Sequence, residues 1–217
     1  MAFSKAFSPT MTITLNNVGK RYNYEWIFSK LNYQFQSGTA YAVTGPNGSG
    51  KSTLLQLIGG NLSQSEGDII YHYNNKAHSF ETIFRHIGFC APYLELQDEF
   101  TVKEMLQFHS KFKPLSQGIT IADILDGAGL SNHSEKFIKY LSSGLKQRLK
   151  LSLCFYFDTP VILLDEPTTN LDEDGVKWYR NNVVPLVKNK LVIICSNAEW
   201  EYSFCTQIVK VTDYKSR

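Results

Sequence analysis

Residues 45–53 read Gly-Pro-Asn-Gly-Ser-Gly-Lys-Ser-Thr, and this run limits the fold more than any other stretch of the chain. It fits the pattern G-x-x-x-x-G-K-[ST], with Gly45, Gly50, Lys51 and Ser52 in the fixed positions. Pro46, Asn47, Gly48 and Ser49 make up the body of the loop, and Thr53 follows it. A loop of this kind needs a strand before it and a helix N-terminus after it. Ala40–Thr44 reads as the strand and residues 52–58 as an amphipathic helix. Small residues let successive backbone N–H groups turn inward as an anion nest, to which the helix adds its partial positive charge. Lys51 can then reach β- and γ-phosphates, and the Ser52 hydroxyl can ligate Mg²⁺. An ordinary glycine-rich turn has no need of Lys-Ser-Thr directly after its last glycine.

The length of 217 residues fits one domain, or one domain carrying a subdomain. A net charge of +2, from 22 basic and 20 acidic residues, is too balanced to imply a nucleic-acid partner. No apolar run approaches the roughly 18 residues of a membrane span, and the longest ones, 161–164 and 191–195, have the length of buried strands. Residues 1–10 lack the apolar stretch of a signal peptide and read as a loose tail, with Met11 as an alternative start. Cys90, Cys154, Cys195 and Cys205 show no C-x-x-C or metal-ligand spacing, which fits a reduced, cytosolic protein. The histidines are scattered without metal-site spacing.

Strands are expected over residues 12–18, 31–35, 40–44, 67–73 and 87–90, and again over 161–164 and 191–195. Between 101 and 139 the pattern turns helical, with Val102, Met105, Leu106, Phe108, Ile121, Ile124, Leu125 and Leu130 at three-to-four spacing, broken by Pro114 and Gly118. A second helix is expected from Ser143 to about Phe157, with Leu145, Leu149, Leu153 and Tyr156 on one stripe. A third runs from about Glu173 to near Lys190, with Pro185 able to kink or end it. The sum is a mixed α/β core interrupted by a helical insert over about residues 93–145, without internal repeats.

Two further stretches carry chemistry. Four apolar residues from Val161 run into Asp165 and Glu166, which reads as a buried parallel strand delivering two carboxylates at its carboxyl end. With the loop at Gly45, Asp165 can hold Mg²⁺, directly or through water, and Glu166 can polarise a water for attack on a γ-phosphate. Without that loop, a strand ending in Asp-Glu is ordinary helix-cap chemistry. The other stretch is Leu141-Ser-Ser-Gly144-Leu-Lys-Gln147-Arg148. Ser142, Ser143 and Gly144 stand before a helix, where serine caps and N–H groups face an anion. By itself that is a plain capped helix, and its position shortly before the Asp165 strand gives it meaning.

Together these motifs resemble the nucleotide-binding subunit of ATP-binding-cassette (ABC) transporters, over about residues 13–211. Residues 45–53 match the family's Walker A, 161–166 its Walker B and 141–148 its signature. Thr169-Asn-Leu-Asp172 resembles the D-loop, and Tyr22 matches the aromatic that stacks on adenine. The resemblance implies an α/β fold: a P-loop NTPase core with a mostly parallel sheet, an N-terminal antiparallel β region and an inserted helical subdomain, all in one domain. It implies ATP and Mg²⁺ at Walker A. It also implies a head-to-tail homodimer, or a heterodimer with a second ABC ATPase, in which the signature of one chain meets ATP on the other. Membrane-spanning partner subunits would hold the protein on the cytoplasmic face. The family docks its coupling helix in a groove near residues 92–100.

Two positions depart from the family. Pro92 stands where a glutamine normally reaches the metal and the attacking water, and proline offers no side-chain donor or acceptor. Gln97 can substitute only if the loop rearranges. Asn197, after Ser196, stands in place of the switch histidine; it can hydrogen-bond a γ-phosphate but cannot carry a proton. Because Glu166 is retained, the expectation is ATP binding with slow hydrolysis. A soluble ABC-type regulator or scaffold is the alternative; a single cassette, short insert and near-neutral charge argue against it. A P-loop kinase or GTPase is disfavoured by the signature and by the lack of an Asn-Lys-x-Asp motif.

Overall fold

The computed structural model describes residues 10–215; the tail expected over 1–10 lies outside them but for Thr10. Five parallel strands form the central sheet in the order β6 (Ile87–Cys90), β7 (Val161–Asp165), β8 (Leu191–Cys195), β3 (Ala40–Thr44), β9 (Gln207–Lys210). β7 and β8 are buried at every residue, which is why they read as unbroken apolar runs rather than as alternation. Their period-two geometry still sorts side chains by face. Val161, Leu163, Leu191 and Ile193 pack with Leu54, Leu55, Leu57 and Ile58 of α1 (Lys51–Ile58). On the other face, Ile162, Leu164, Val192 and Ile194 pack with Leu151 and Phe155 of α4 (Ser143–Phe155) and with Tyr179 and Val183 of α5 (Glu173–Leu186).

A second, antiparallel sheet covers α1, in the order β2 (Glu25–Gln36), β1 (Met11–Tyr22), β4 (Glu66–Tyr73), β5 (Lys76–His78). Its inward residues, Ile13, Leu15, Phe28, Leu31, Phe35 and Tyr71, join the same core as α1. The first strand outruns its expected end at residue 18. Register shifts between Leu15 and Lys20 accommodate Asn17 at φ 49°, and pairing resumes through Tyr22.

The helical insert has a core of its own, in which Val102, Leu106, Ile124, Leu130, Ile138, Leu149 and Phe157 are fully buried. Its regular helices are short: α2 (Val102–Ser110) and α3 (Ile121–Gly127). Capping boxes start both, Thr101 with Glu104 and Thr120 with Asp123, each reciprocally satisfying two orphan N–H groups. The helical pattern over 101–139 is in pieces, as expected from Pro114 and Gly118, and the positive-φ Gly129 adds a further break. Phe108, expected on the apolar stripe, is 40% exposed.

Two helices stop short of expectation. α4 ends at Phe155, since Phe157 is drawn into the insert core and bridges to Leu115. α5 ends at Leu186, one residue past Pro185, and Lys190 lies at the mouth of β8 with its ammonium on the Phe157 carbonyl. β5, β9 and the single turn α6 (Glu199–Tyr202) have no counterpart in the sequence expectations.

Candidate active site

The phosphate loop leaves the carboxyl end of β3 and runs into α1, with Gly45, Gly48 and Gly50 at φ 150°, 74° and 103°. A Cβ at Gly50 would stand 2.5 Å from Ile27 Cγ2, so both its conformation and its packing demand glycine. Gly48 faces open space, and its lack of a side chain lets a ligand approach the backbone. No side chain caps α1, so its first N–H groups stay free for an anion. Lys51 is buried and folds back, donating from Nζ to the carbonyls of Gly45 at 2.8 Å and Pro46 at 3.4 Å. The ammonium is thereby held over the loop mouth. Ser49 Oγ is buried without a partner, a polar atom turned into the loop body.

β7 delivers Asp165 beside this loop, with the Ser52 hydroxyl near its carboxylate. Burial raises the Asp165 carboxyl above its ordinary value; Ser52 and Lys51 pull it down, while the charges of Glu166 and Glu201 push it up. Crowded carboxylates beside a serine hydroxyl suit a hard divalent cation. No cluster of three or more metal-ligating His, Cys, Asp or Glu side chains exists among the described residues. Glu166 sits at φ 43°, in the left-handed region. Such strain costs on the order of 1–3 kcal/mol and persists only where the surroundings fix it. Its N–H donates to the Cys195 carbonyl at 2.9 Å, and its own carbonyl accepts from the Thr169 N–H at 3.2 Å.

Two adjoining clefts share Asn47 and Glu166. One, of 420 Å³, is lined by Ile27, Gly48, Gly50, Lys51, Ser52 and Thr53. The other, of 340 Å³, is lined by Thr168, Thr169, Ser196, Asn197, Trp200 and Glu201. Asn197 Nδ2 donates to Asn47 Oδ1 at 3.0 Å, bringing the switch position onto the phosphate loop. Thr168, Trp200 and Glu201 escape sequence reasoning, because their pairing spans 32 and 33 residues with no motif to mark it. Gln147 is a milder case: inside the 141–148 stretch, its buried amide donates to the Pro167 carbonyl at 2.7 Å and ties α4 to the turn after Glu166.

Other candidate residues lie elsewhere. Ser142 caps α4 by accepting from the Leu145 N–H at 3.3 Å, and Ser142, Ser143 and Gly144 line neither cleft. A Cβ at Gly144 would lie 3.1 Å from the Asn170 carbonyl, so Gly144 packs on the 169–172 stretch of its own chain. Asp172 caps α5 through the Gly175 N–H at 2.7 Å. Tyr22 is 49% exposed at the tip of the β1–β2 hairpin, outside the cleft linings, while Ile27 of that hairpin lines the first cleft. Pro92 is exposed, and so is Gln97, which lines neither cleft. Burial, then the Asp165 charge, raises the pKa of Tyr93, while the nearby Gln56 of α1 lowers it. Beside β6 a hollow of 230 Å³, lined by Phe89, Leu94, Glu95, Leu96, Met105 and Lys150 among others, occupies the seam between core and insert.

The family model described as ABC transporter matches residues 28–169, which include the phosphate loop, the insert and Asp165–Glu166. The chain is 34% identical over 152 residues to the cytochrome c biogenesis ATP-binding export protein CcmA of Xylella fastidiosa (strain 9a5c), covering 69% of this chain and 67% of that one. It is 28% identical over 189 residues to YhcH of Bacillus subtilis (strain 168), an uncharacterized ABC transporter ATP-binding protein; 85% of this chain spans 61% of that relative. Among solved structures, an ATP-binding cassette captured as a dimer after hydrolysis, with ADP and Pi, superposes at a TM-score of 0.79 and 24% identity, over 91% of this chain and 93% of that one. That likeness concerns the fold: a parallel core, an antiparallel sheet and an inserted helical unit. With the family model spanning 28–169, and the phosphate loop and Glu166 lining one cleft beside the buried Asp165, the chain belongs to the ABC transporter family.

Proposed function

We propose that the chain is the ATP-binding and ATP-hydrolysing subunit of a transporter, acting as a dimer and driving membrane-spanning partner subunits from the cytoplasmic face. One observation carries the reading: a helix N-terminus without a side-chain cap, Lys51, Ser52 and Glu166 line a single cleft, with the buried Asp165 carboxylate next to Lys51 and Ser52. Lys51 and the loop N–H groups neutralise phosphate charge, and Asn197 donates to the γ-phosphate once released from Asn47. Ser52 and Asp165 would hold Mg²⁺, which supplies charge neutralisation between the β- and γ-phosphates. Glu166 orients a water and takes its proton as the water oxygen bonds to the γ-phosphorus and the bridge to ADP breaks. Tyr22 would stack on the adenine.

The dimer reading is supported by Ser142–Gly144 lying outside their own chain's clefts and by the dimeric cassette of like fold. The transport reading is supported by the export function in the name of CcmA. No helix among the described residues is long and apolar enough to cross a membrane; in this proposal partner subunits span it and dock at the seam hollow. Hydrolysis is slow in this proposal, since Pro92 offers no side-chain donor or acceptor to the metal or the attacking water and Asn197 cannot carry a proton.

The test is Glu166→Gln in the purified full chain. Bound ATP should drive this variant into a stable dimer by light scattering, with hydrolysis lost and nucleotide affinity kept. A variant that stays monomeric at saturating ATP removes the dimer. A parent that turns over at about 10 per second unaided, the median for enzymes, removes the slow-hydrolysis part.

A further inference from the structure

Between Asn197 and Glu201 the chain touches two motifs that sequence keeps far apart. Asn197 reaches the phosphate loop through Asn47. Four residues on, Glu201 Oε1 accepts from the Thr168 N–H at 2.7 Å and from Thr168 Oγ1 at 2.5 Å. Trp200 Nε1 donates to that same Oγ1 at 3.3 Å, extending a chain of hydrogen bonds that ends on the carboxylate. Tyr179 of α5 donates its hydroxyl to the Glu201 carbonyl at 2.9 Å, so α6 is anchored from the core side.

The choice of residue is informative. Glu201 is 3% exposed and its Oε2 is buried without a partner. Burying a carboxylate to hold one amide and one hydroxyl costs more than burying a neutral acceptor for the same purpose. What it holds explains the cost. Thr168 lies two residues beyond Glu166, in the turn whose first residue has φ 43°. Two backbone bonds fix Glu166 itself, and the Thr168 contact fixes the far side of the turn. Asn197, engaged on Asn47, leaves that task to Glu201.

We infer that Glu201 is a positioning residue for Glu166: through the Thr168 amide and hydroxyl it holds the left-handed turn that aims the Glu166 carboxylate into the cleft, and it links that turn to the segment bearing Asn197. The charge-assisted contact is stronger than a neutral one, and it fixes geometry without touching nucleotide. Its loss should therefore fall on turnover and spare affinity.

The inference rests on the ATPase reading, and the experiment separates the two. The full chain, Glu201→Ala, Glu201→Gln, Thr168→Val and the Glu201→Ala/Thr168→Val double variant are compared in three measurements. These are affinity for a fluorescent ATP analogue, kcat for Mg-ATP, and amide hydrogen exchange over residues 166–169 without nucleotide. Glu201→Ala should lower kcat about tenfold or more, as small misplacements of a catalytic group do, with affinity unchanged and exchange accelerated. Glu201→Gln keeps an acceptor and should recover most of the turnover. Thr168→Val should add little to Glu201→Ala, because the partner is already gone.

Parental kcat in Glu201→Ala overturns the inference. So does a matched loss of affinity and turnover that glutamine does not rescue, which marks a merely structural carboxylate. If Glu201→Ala does not fold, Thr168→Val decides: lower kcat at unchanged affinity supports the link, and parental kcat overturns it. A parent that binds no nucleotide overturns the ATPase reading instead. The exchange measurement then still decides whether Glu201 holds the turn.

Discussion

The α/β core and the helical insert are built on opposite economies. The core gathers its chemistry at one place, the carboxyl ends of parallel strands, where Lys51 and Glu166 line a common cleft and Asp165 lies buried beside it. It uses positive-φ backbone there, freely at Gly45, Gly48 and Gly50 and with strain at Glu166. The insert spreads its polar groups into caps, at Thr101, Thr120 and Ser142, over a dry core of its own. Only Ser142–Gly144 suggest a ligand, and they line no cleft of this chain. In the function proposed above, the core holds nucleotide by itself and the insert acts on nucleotide held by another copy. Substitutions in the two regions should therefore fail in different ways.

The largest effect belongs to Lys51→Ala. It removes the ammonium held at the loop mouth by Gly45 and Pro46, and a hydrogen bond to a charged group is worth about 1.5–3 kcal/mol. ATP affinity should fall by on the order of 100-fold in calorimetric titration, at any protein concentration, since this site is complete in one chain. Unchanged affinity would show that the cleft is not where nucleotide binds.

Ser142 breaks the comparison more sharply, because its two roles separate. Ser142→Ala loses the α4 cap, costing about 1 kcal/mol, while Ser142→Asp retains a capping oxygen and brings negative charge to the surface proposed to meet phosphate. The aspartate variant should melt near the parent and bind ATP normally, yet lose roughly tenfold or more in kcat by like-charge repulsion. If it hydrolyses ATP like the parent, the serine is only a cap, and the insert has no part in catalysis.

A smaller gain is expected within the core. Asn197 is exposed and linked only to Asn47, so histidine fits the position and adds a group that titrates near neutrality. General acid–base catalysis contributes about 100-fold or more where every group is in place. With Pro92 still present, Asn197→His should raise kcat by only about 3–10-fold, with nucleotide affinity constant. No gain would mean that another step limits turnover.

What sequence could reveal depended on whether a contact was local. Walker A was legible because its glycines, lysine and serine are consecutive, and β3, β7 and β8 because buried parallel strands are apolar throughout. Ser142 as a cap was legible for the same local reason. The Glu201–Thr168 contact was not, since it joins residues 33 apart and nothing marks a glutamate in a four-residue helix as buried. The edge strand β9 was hidden as well: its pattern is mostly exposed, with only Val209 buried. Helix ends failed where tertiary packing overrode periodicity, as when the insert core takes Phe157 from the end of α4.

The last prediction sets the regions apart by pH. In the insert, His109 stacks edge-on against Phe157 at 4.6 Å, and its Nε2 is buried without a partner. Burial, then the nearby Lys113 charge, lowers its pKa from 6.5 to about 4. Between those values the unfolded chain binds a proton that the folded chain refuses. Stability is therefore fully present above pH 6.5 and declines as pH falls towards 4. His109→Phe keeps the ring contact and removes the titration, so it should flatten this part of the urea-denaturation profile. Hydrogen exchange should report the acid effect in α2 while α1 stays protected, and ATP affinity should be the same in parent and variant. A profile unchanged by His109→Phe would mean that this ring is hydrated in solution and that the insert lacks the dry core that sets it apart from the nucleotide cleft.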